Sequence, residues 1–362
     1  MEENKIRIAI THGDTNGIGY ETIFKIFSDP AMLELCTPII YGSPKIASYH
    51  RKTLNMQANF TIINKAEDAH ADKLNMLTSF DDEVKVELGM PTPVSAAAGR
   101  KALERALKDW GKGLFDALVT APALDKATAG DNATLASQAG IIEHSTGNDG
   151  KSLIIHVNDG LRIASVTGNI PLGDALHEIR KDLIVDKATA FFESLRRDFR
   201  LSNPRIALLQ VNPTAGSEEE EILKPAISEL HNSGVGIYGP YPADEFFSTY
   251  SHTNFDGTLA MYHNQAITPL RMLADEGRLQ FTAGLPIVHT APGHDPQFEI
   301  AGQGVADESS LRNAIYLAID TYRHRKEYDE PLANPLKKLY HEKRDDSEKV
   351  RFAIPKKHEQ NQ

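Results

Sequence analysis

The sequence has very little cysteine, because Cys36 is the only one among 362 residues. A single thiol excludes a disulfide framework and any metal site built from several cysteines. Cys36 stands next to an apolar stretch, so we interpret it as a buried structural thiol rather than a nucleophile. The sequence therefore indicates a reducing compartment, and we expect the cytoplasm.

The sequence also lacks net positive charge and long apolar runs. There are 39 Lys and Arg residues against 50 Asp and Glu residues, which gives a formal net charge of −11. Because nucleic-acid binding requires a basic surface, we expect no nucleic-acid partner, although a local basic pocket for a small anion is still compatible with this charge. No apolar run approaches the roughly 20 residues of a membrane-spanning helix, and the first residues lack the apolar core of a signal peptide. We therefore expect no membrane association.

The composition that remains is that of a soluble globular protein, with 41% hydrophobic and 25% charged residues. The length suggests two domains. Apolar segments typical of strands alternate with helical segments, which predicts a mostly parallel, doubly wound α/β sheet. Strands are predicted at 6–11, 37–41, 60–63, 84–88, 115–120, 152–157, 161–167, 205–211, 235–238, 258–262 and 280–290. Helices are predicted at 20–27, 43–54, 95–110, 266–273 and 309–324, with two more within 172–198.

Four connecting segments carry further expectations. The turn at 158–160 predicts one antiparallel hairpin in the sheet. Segment 127–140 has weak periodicity and is expected to be a loop. A helix should follow Ser217, which has capping-box spacing with Glu220. The charged tail from Arg325 onward should be a surface extension.

A glycine-rich turn follows the first strand, from Gly13 to Gly19. Its pattern is G-x-x-x-G-x-G, whereas the dinucleotide fingerprint is G-x-G-x-x-G. Such a turn can offer backbone N–H groups to an anionic ligand. The alternative is a tight turn whose glycines serve backbone geometry alone, and this is the interpretation that we favour. Consequently, the residues that contact a nucleotide cofactor stay unknown.

The stretch around which the chain is organised runs from Phe255 to Gln265. An apolar strand there ends in His263, Asn264 and Gln265, and a helix carrying Arg271 follows. Open α/β sheets build their sites at the carboxyl ends of strands. A lone histidine is as often a core residue as a functional one, but other strands of this chain also end in polar groups. These groups include Asn169, Thr214, Asp244 and His289, to which we add His144 and Ser145.

Seven motifs stand out along the chain, namely Gly13-Asp-Thr-Asn-Gly-Ile-Gly19, Val119-Thr-Ala-Pro122, Asn212-Pro-Thr-Ala-Gly216, Gly239-Pro-Tyr-Pro-Ala-Asp244, Leu259-Ala-Met-Tyr-His-Asn-Gln265, Ala283-Gly-Leu-Pro286 and Ala301-Gly-Gln-Gly304. Together, over about residues 5–326, they resemble the 4-hydroxythreonine-4-phosphate dehydrogenase family. The resemblance implies two α/β/α domains with a cleft between them, similar to isocitrate and isopropylmalate dehydrogenases. We expect residues 1–126 plus 301–335 to form the first domain, 127–300 the second, and 336–362 a charged tail. It also implies a homodimer whose active sites are shared across subunits.

The resemblance implies roles for particular residues. His263 and Asp244 take the catalytic positions. The substrate positions are His144, Ser145, Arg271, Gln280 and His289. Family members hold a divalent metal with three histidines, and here only His263 is a histidine, since Asn169 and Thr214 occupy the other two positions. An amide and a hydroxyl disfavour tight zinc binding and suit weak Mg²⁺ binding better.

Three hypotheses follow from this pattern. The chain is a dehydrogenase that uses NAD, with NADP left open, to oxidise and decarboxylate 4-phosphooxy-L-threonine in vitamin B6 biosynthesis. Alternatively, it oxidises another phosphorylated hydroxy acid of the threonate or erythronate type. The third hypothesis is a paralogue that keeps the cleft for binding a small molecule but has lost turnover. A substrate panel separates the first two hypotheses, and turnover and metal content separate them from the third.

Overall fold

The computed structural model describes residues 5–80, 83–123, 137–158, 160–273 and 277–334. The strands are β1 (Ile6–Thr11), β2 (Cys36–Gly42), β3 (Thr61–Ile63), β4 (Asn75–Thr78), β5 (Ala117–Thr120), β6 (Leu153–Asn158), β7 (Leu161–Ser165), β8 (Ile206–Leu209), β9 (Ile237–Tyr241), β10 (Gly257–Ala260), β11 (Leu279–Ala283) and β12 (Val288–Pro292). The helices are α1 (Gly19–Phe27), α2 (Ala31–Leu35), α3 (Pro44–Thr53), α4 (Pro93–Trp110), α5 (Gln138–Ser145), α6 (Leu172–Glu178), α7 (Lys181–Arg197), α8 (Lys224–Asn232), α9 (Ala243–Ser248), α10 (His263–Leu273) and α11 (Ser309–Ala333).

Within the described residues, the strands form one mixed sheet in the order β3-β4-β2-β1-β5-β12-β11-β6-β7-β10-β8-β9. The pairs from β3 to β12 are parallel, and so are those from β7 to β9. Three antiparallel pairs lie between them, namely β12–β11, β11–β6 and β6–β7. This odd number of reversals makes the strands β7 to β9 run opposite to β1, β2 and β5.

Helices cover both faces of the sheet. On one face a continuous apolar cluster joins the sheet to α1, α3, α7, α8 and α11. The other face has two separate apolar clusters, one under α4 and α5 and one under α9 and α10. Between these two clusters lies a row of polar side chains, which we call the polar stripe. The polar stripe consists of Thr120, His289, Thr282, Gln280 and His156, which strand register places on this same face.

Most of the predicted elements are present, including the antiparallel hairpin β6–β7, although residue 159 of its turn lies outside the described residues. The strand predicted at 84–88 is wrong. That segment forms no strand, because its backbone is hydrogen-bonded to a side chain of the glycine-rich turn. The Glu87 N–H donates to Asn16 Oδ1 at 2.9 Å. The fourth strand is instead β4, whose polar first residue, Asn75, is fully buried.

The single strand predicted at 280–290 is two antiparallel strands, β11 and β12. The chain reverses after Gly284, whose φ of +79° suits glycine. The capping box predicted between Ser217 and Glu220 is also wrong. Glu219, rather than Glu220, reaches back along the chain, and its carboxylate accepts a hydrogen bond from the Gly216 N–H. Glu219 begins a π-helical segment, Glu219–Leu223, that leads directly into α8.

Two expectations about irregular segments need correction. Helix α5 begins at Gln138, inside the predicted 127–140 loop, while residues 127–136 of that loop lie outside the described part of the chain. Helix α11 continues past Arg325 to Ala333, because Arg325 is buried and its Nε donates to Asp198 Oδ1 at 2.7 Å. The tail from residue 335 onward lies outside the described residues.

Candidate functional site

Four of the predicted site residues follow four neighbouring parallel strands. Asn169 comes after β7, His263 after β10, Thr214 after β8 and Asp244 after β9. Since these strands are parallel and adjacent, their carboxyl ends lie at one edge of the sheet. The structure therefore brings these four residues to the same edge, where Asn169, Thr214 and Asp244 are exposed and His263 is half-buried.

The strand ends at this edge are tied together by a glutamine. Gln265 Oε1 accepts a hydrogen bond from the Met261 N–H at 2.8 Å, and its Nε2 donates to the Gln210 carbonyl at 2.7 Å. Thr167 Oγ1 donates to the Met261 carbonyl at 3.1 Å. Gln265 thus links the end of β10 to the end of β8, which fixes the point where α10 begins with His263.

Helix α10 folds back over the sheet from this edge. Ala266 and Leu270 pack in the apolar cluster that includes Ile163 of β7. This packing brings the His263 ring to the His156 ring of the polar stripe, with centroids 6.4 Å apart and planes at 72°. Burial, together with the nearby Arg271 charge, lowers the pKa of His263. A neutral imidazole is therefore favoured at neutral pH.

His156 is a neighbour of His263 that the sequence did not single out. It lies on β6 directly opposite Gln280 of β11. Burial, and then the neighbouring His263 and Arg271, lower the pKa of His156 to about 4. We call His156, His263, Arg271 and Gln280 the cleft cluster. It combines two neutral imidazoles, one cation and one amide.

His289 lies deeper in the polar stripe and is only 3% exposed. Its Nε2 lies 3.0 Å from Thr120 Oγ1, and its Nδ1 lies 2.8 Å from Thr282 Oγ1. Burial lowers the pKa of His289 to about 3, so the ring is neutral. A substrate contact by His289 would require the ring to exchange one of these hydroxyl partners, and its substrate role stays a prediction.

His144 and Ser145 end helix α5 and are both exposed. The adjacent Glu143 accepts a hydrogen bond from the Ser152 N–H at 2.7 Å, which places this helix end beside the start of β6. Since β6 and β7 are antiparallel, the start of β6 lies at the same edge as the end of β7. His144 Nδ1 lies 3.2 Å from Asp149 Oδ1, so its ring is turned toward that carboxylate.

The turn that carries Thr214 is held by a buried carboxylate. Glu219 Oε1 accepts hydrogen bonds from the N–H groups of Val211 and Asn212, both at 3.0 Å. Glu219 Oε2 accepts from the Gly216 N–H at 2.6 Å and from Asn212 Nδ2 at 3.3 Å. Burial alone would raise the pKa of Glu219, but these hydrogen bonds lower it. The ionised Glu219 therefore fixes the exposed Thr214 turn.

The glycine-rich turn is packed against its neighbours and is not an open cradle. A Cβ at Gly13 would lie 2.1 Å from the Pro122 carbonyl oxygen, and one at Gly19 would lie 2.0 Å from the His12 carbonyl oxygen. The Ile18 N–H donates to the Pro296 carbonyl at 3.1 Å. These contacts support the interpretation that the glycines permit close backbone packing. They identify no contact for a nucleotide.

The donor groups at the strand ends do not fit a three-histidine metal site. Among the residues that the structure describes, there is no group of three His, Cys, Asp or Glu side chains able to hold a metal ion. One imidazole with an amide, a hydroxyl and a carboxylate at the same edge is poor in the ligands that zinc prefers. We therefore derive no chemical step through a metal. In the described part of the chain, no helix is long and apolar enough to cross a membrane.

The family model described as pyridoxal phosphate biosynthetic protein PdxA matches residues 34–318. The chain is 48% identical over 358 residues to the 4-hydroxythreonine-4-phosphate dehydrogenase of Bacteroides thetaiotaomicron, which covers 97% of this chain and 98% of that protein. It is 31% identical over 319 residues to the D-threonate 4-phosphate dehydrogenase of Cupriavidus necator, which covers 85% and 95%.

Among solved structures, the chain is similar to the 4-hydroxythreonine-4-phosphate dehydrogenase of Klebsiella pneumoniae. The TM-score is 0.71 at 26% identity, covering 88% of this chain and 100% of that one. This likeness confirms the expected α/β fold of the isocitrate and isopropylmalate dehydrogenase type.

Proposed function

The chain belongs to the PdxA family of pyridoxal phosphate biosynthetic proteins, and from this membership we propose that it is an NAD-dependent dehydrogenase acting on 4-phosphooxy-L-threonine. The substrate's secondary alcohol is oxidised to a ketone, and the resulting β-keto acid loses CO2 to give 3-amino-2-oxopropyl phosphate. The observation that carries this proposal is the cleft cluster, in which a neutral His263 lies near the cation Arg271 and the amide of Gln280 on one sheet face.

His263 is proposed to accept the proton of the reacting hydroxyl group. A base must be unprotonated and within hydrogen-bond reach of that proton. The lowered pKa of His263 supplies the first condition at neutral pH. Its place at the start of α10, beside the open strand ends, is compatible with the second. Asp244 is proposed to lie near the proton that His263 gains and to stabilise it.

Arg271 is proposed to attract the anionic end of the substrate. Its guanidinium stays charged at all relevant pH values and has the fork geometry that suits phosphate and carboxylate. Gln280, on the neighbouring strand, adds an amide that can donate or accept. We also propose substrate contacts for His144, Ser145 and His289. For His289 this contact requires its ring to give up the hydrogen bond to Thr120 or to Thr282.

The cofactor proposed is NAD, which accepts the hydride when it is bound, and NADP is the alternative. The residues that contact the cofactor are unassigned, because neighbouring backbone atoms pack directly against the glycine-rich turn. The alternative proposal for these positions is a divalent ion that Asn169, Thr214 and His263 would hold, in which case His263 would be a ligand instead of the base. Oxygen donors suit Mg²⁺ or Mn²⁺ better than Zn²⁺ or Co²⁺.

We further propose a cytoplasmic homodimer with two α/β domains per chain, residues 1–126 plus 301–335 and residues 127–300. Exposed apolar side chains beside Asn169 support a partner subunit close to the site. Ile170, Leu172 and Leu176 are 41%, 56% and 49% exposed, and contiguous apolar surface of this kind is typical of interfaces. Measurement of the mass in solution, for wild type and Leu172→Glu, tests this part.

A second candidate substrate is D-threonate 4-phosphate, which has a hydroxyl group where 4-phosphooxy-L-threonine has an amino group. The similarity to the Cupriavidus necator protein favours it as the alternative. Both substrates have a phosphate and a carboxylate, so the cleft cluster alone does not separate them.

The test is NADH formation by the purified protein with each of these two substrates, with and without Mg²⁺, Mn²⁺ or Zn²⁺. The proposal predicts the higher kcat/KM with 4-phosphooxy-L-threonine, with one CO2 released for each NADH. A higher kcat/KM with D-threonate 4-phosphate would mean that this compound, rather than 4-phosphooxy-L-threonine, is the substrate. No NADH from either, with folded dimer present, would favour the binding paralogue.

A further inference from the structure

His156 has the surroundings of a binding residue rather than those of a core histidine. We propose that His156 is a substrate-binding residue of the cleft, whose imidazole donates a hydrogen bond to an anionic oxygen of the ligand that Arg271 attracts. This inference rests on the proposed function for the identity of the substrate. It adds a residue that lies outside all the motifs on which the family resemblance depends.

Two histidines of the polar stripe provide the contrast that supports this proposal. His289 is a satisfied core residue, because each of its ring nitrogens has a threonine hydroxyl as a partner. His156 lies on the same sheet face, but its ring makes no hydrogen bond to another described residue and is partly exposed. Polar groups in protein interiors are normally satisfied. A partly exposed imidazole that bonds to no described residue therefore has hydrogen-bonding capacity to offer a ligand.

The position of His156 in its strand explains why its ring faces the cleft. Ile155, next to it on β6, is fully buried in the apolar cluster of the opposite sheet face. Side chains alternate along a strand, so His156 must point to the face that α10 covers. There it lies opposite Gln280 and meets the His263 ring at 6.4 Å. The three side chains thus surround one region of the cleft.

The charges around His156 favour an anion over a cation. Arg271 lies in the last turn of α10, the helix that begins with His263, so this helix brings a positive charge to the same side of the sheet. A neutral imidazole offers an N–H donor without requiring protonation. A cation-bearing cleft that also holds N–H donors suits phosphate or carboxylate oxygens. The substrate has both groups, so the shared chemistry is an anionic oxygen.

The experiment compares three variants with wild type. His156→Leu removes the donor and suits the apolar strand, while His156→Gln keeps a side-chain N–H. The matched control is His231→Leu, which replaces an exposed histidine of α8, a helix that packs on the opposite sheet face. Binding of inorganic phosphate and of acetate is measured calorimetrically for each protein, after circular dichroism has established that it is folded. KM and kcat for 4-phosphooxy-L-threonine are measured in parallel.

A hydrogen bond to a charged group accounts for roughly tenfold to 100-fold in affinity. We expect His156→Leu to lose this factor in phosphate affinity or in acetate affinity, which identifies the anionic group, and to raise KM more than it lowers kcat. His156→Gln should recover part of the loss, and His231→Leu should match wild type. Wild-type affinity of His156→Leu for both anions, or an equal loss in His231→Leu, would overturn the proposal. If wild type binds phosphate but makes no NADH, the binding comparison still decides the role of His156, and only the proposed function fails.

Discussion

Replacing Glu219 by Gln should destabilise the turn that presents Thr214. The Glu219 carboxylate is fully buried and accepts four hydrogen bonds from one short segment. A glutamine side chain can keep the two bonds to its oxygen, but its NH2 group would face the Gly216 N–H and the Asn212 amide as a third donor. Two hydrogen bonds to a charged group are then lost, at about 1.5 kcal/mol each, so the expected cost is about 3 kcal/mol.

The assay is urea unfolding at pH 7, with Glu220→Gln as the matched control. Glu220 is the next residue, it is 59% exposed, and it pairs only with Lys224 at the surface among the described residues. Its replacement should change the unfolding free energy by less than about 0.5 kcal/mol. Equal effects of the two substitutions would refute the claim that buried hydrogen bonds, rather than local charge, make Glu219 important.

The pH dependence of stability gives the same prediction an independent check. The folded-state pKa of Glu219 lies below its unfolded value. Its contribution is therefore present above the unfolded pKa and is lost as the pH falls through the folded pKa. Glu219→Gln should remove this part of the acid sensitivity, and an unchanged acid limb in the variant would contradict the assignment.

Three further predictions concern other parts of the molecule. Arg325→Met should cost about 3–5 kcal/mol in unfolding free energy, because it leaves the buried Asp198 without its partner; a cost below about 1 kcal/mol would show that the pair is dispensable. Burial lowers the pKa of His289 from 6.5 to about 3 in the folded protein. Between these two pH values the unfolded chain binds a proton at His289 and the folded protein does not. The free energy of unfolding therefore falls as the pH is lowered through this window. His289→Gln should reduce that loss by about 2 kcal/mol at pH 5, measured by urea unfolding, and an identical pH profile would contradict a neutral buried ring. Asn169→His combined with Thr214→His should raise zinc affinity by orders of magnitude in isothermal titration, and unchanged affinity would contradict their assignment to one metal position.

The alternation of apolar strands and helices was enough to predict the α/β architecture, because buried parallel strands are short, apolar and bounded by turn residues. Elements whose stability depends on distant contacts were not predictable in this way. Strand β4 begins with Asn75, a poor strand former, which is accommodated because its Nδ2 donates to the Pro38 carbonyl at 3.0 Å. Similarly, the charged end of α11 is helical because of Asp198, which is 127 residues away from Arg325.

The candidate site divides in the same way. His263 and Arg271 could be found from a strand that ends in polar residues, and Gln280 from the family resemblance. His156 could not, because its importance depends on the register of β6 against β11 and on the return of α10 across the sheet. The burial of His289 between Thr120 and Thr282 depends on the pairing of distant strands, since Thr120 and His289 are 169 residues apart in the sequence.

If His263 is the proton acceptor that we propose, its replacement must slow the oxidation of the substrate. The most direct test is the rate of NADH formation from 4-phosphooxy-L-threonine by wild type and by His263→Asn, with His231→Asn as a control on the opposite face. We expect turnover by wild type and by the control, and a loss of about 100-fold or more in kcat for His263→Asn. Retention of the wild-type kcat by His263→Asn would contradict it.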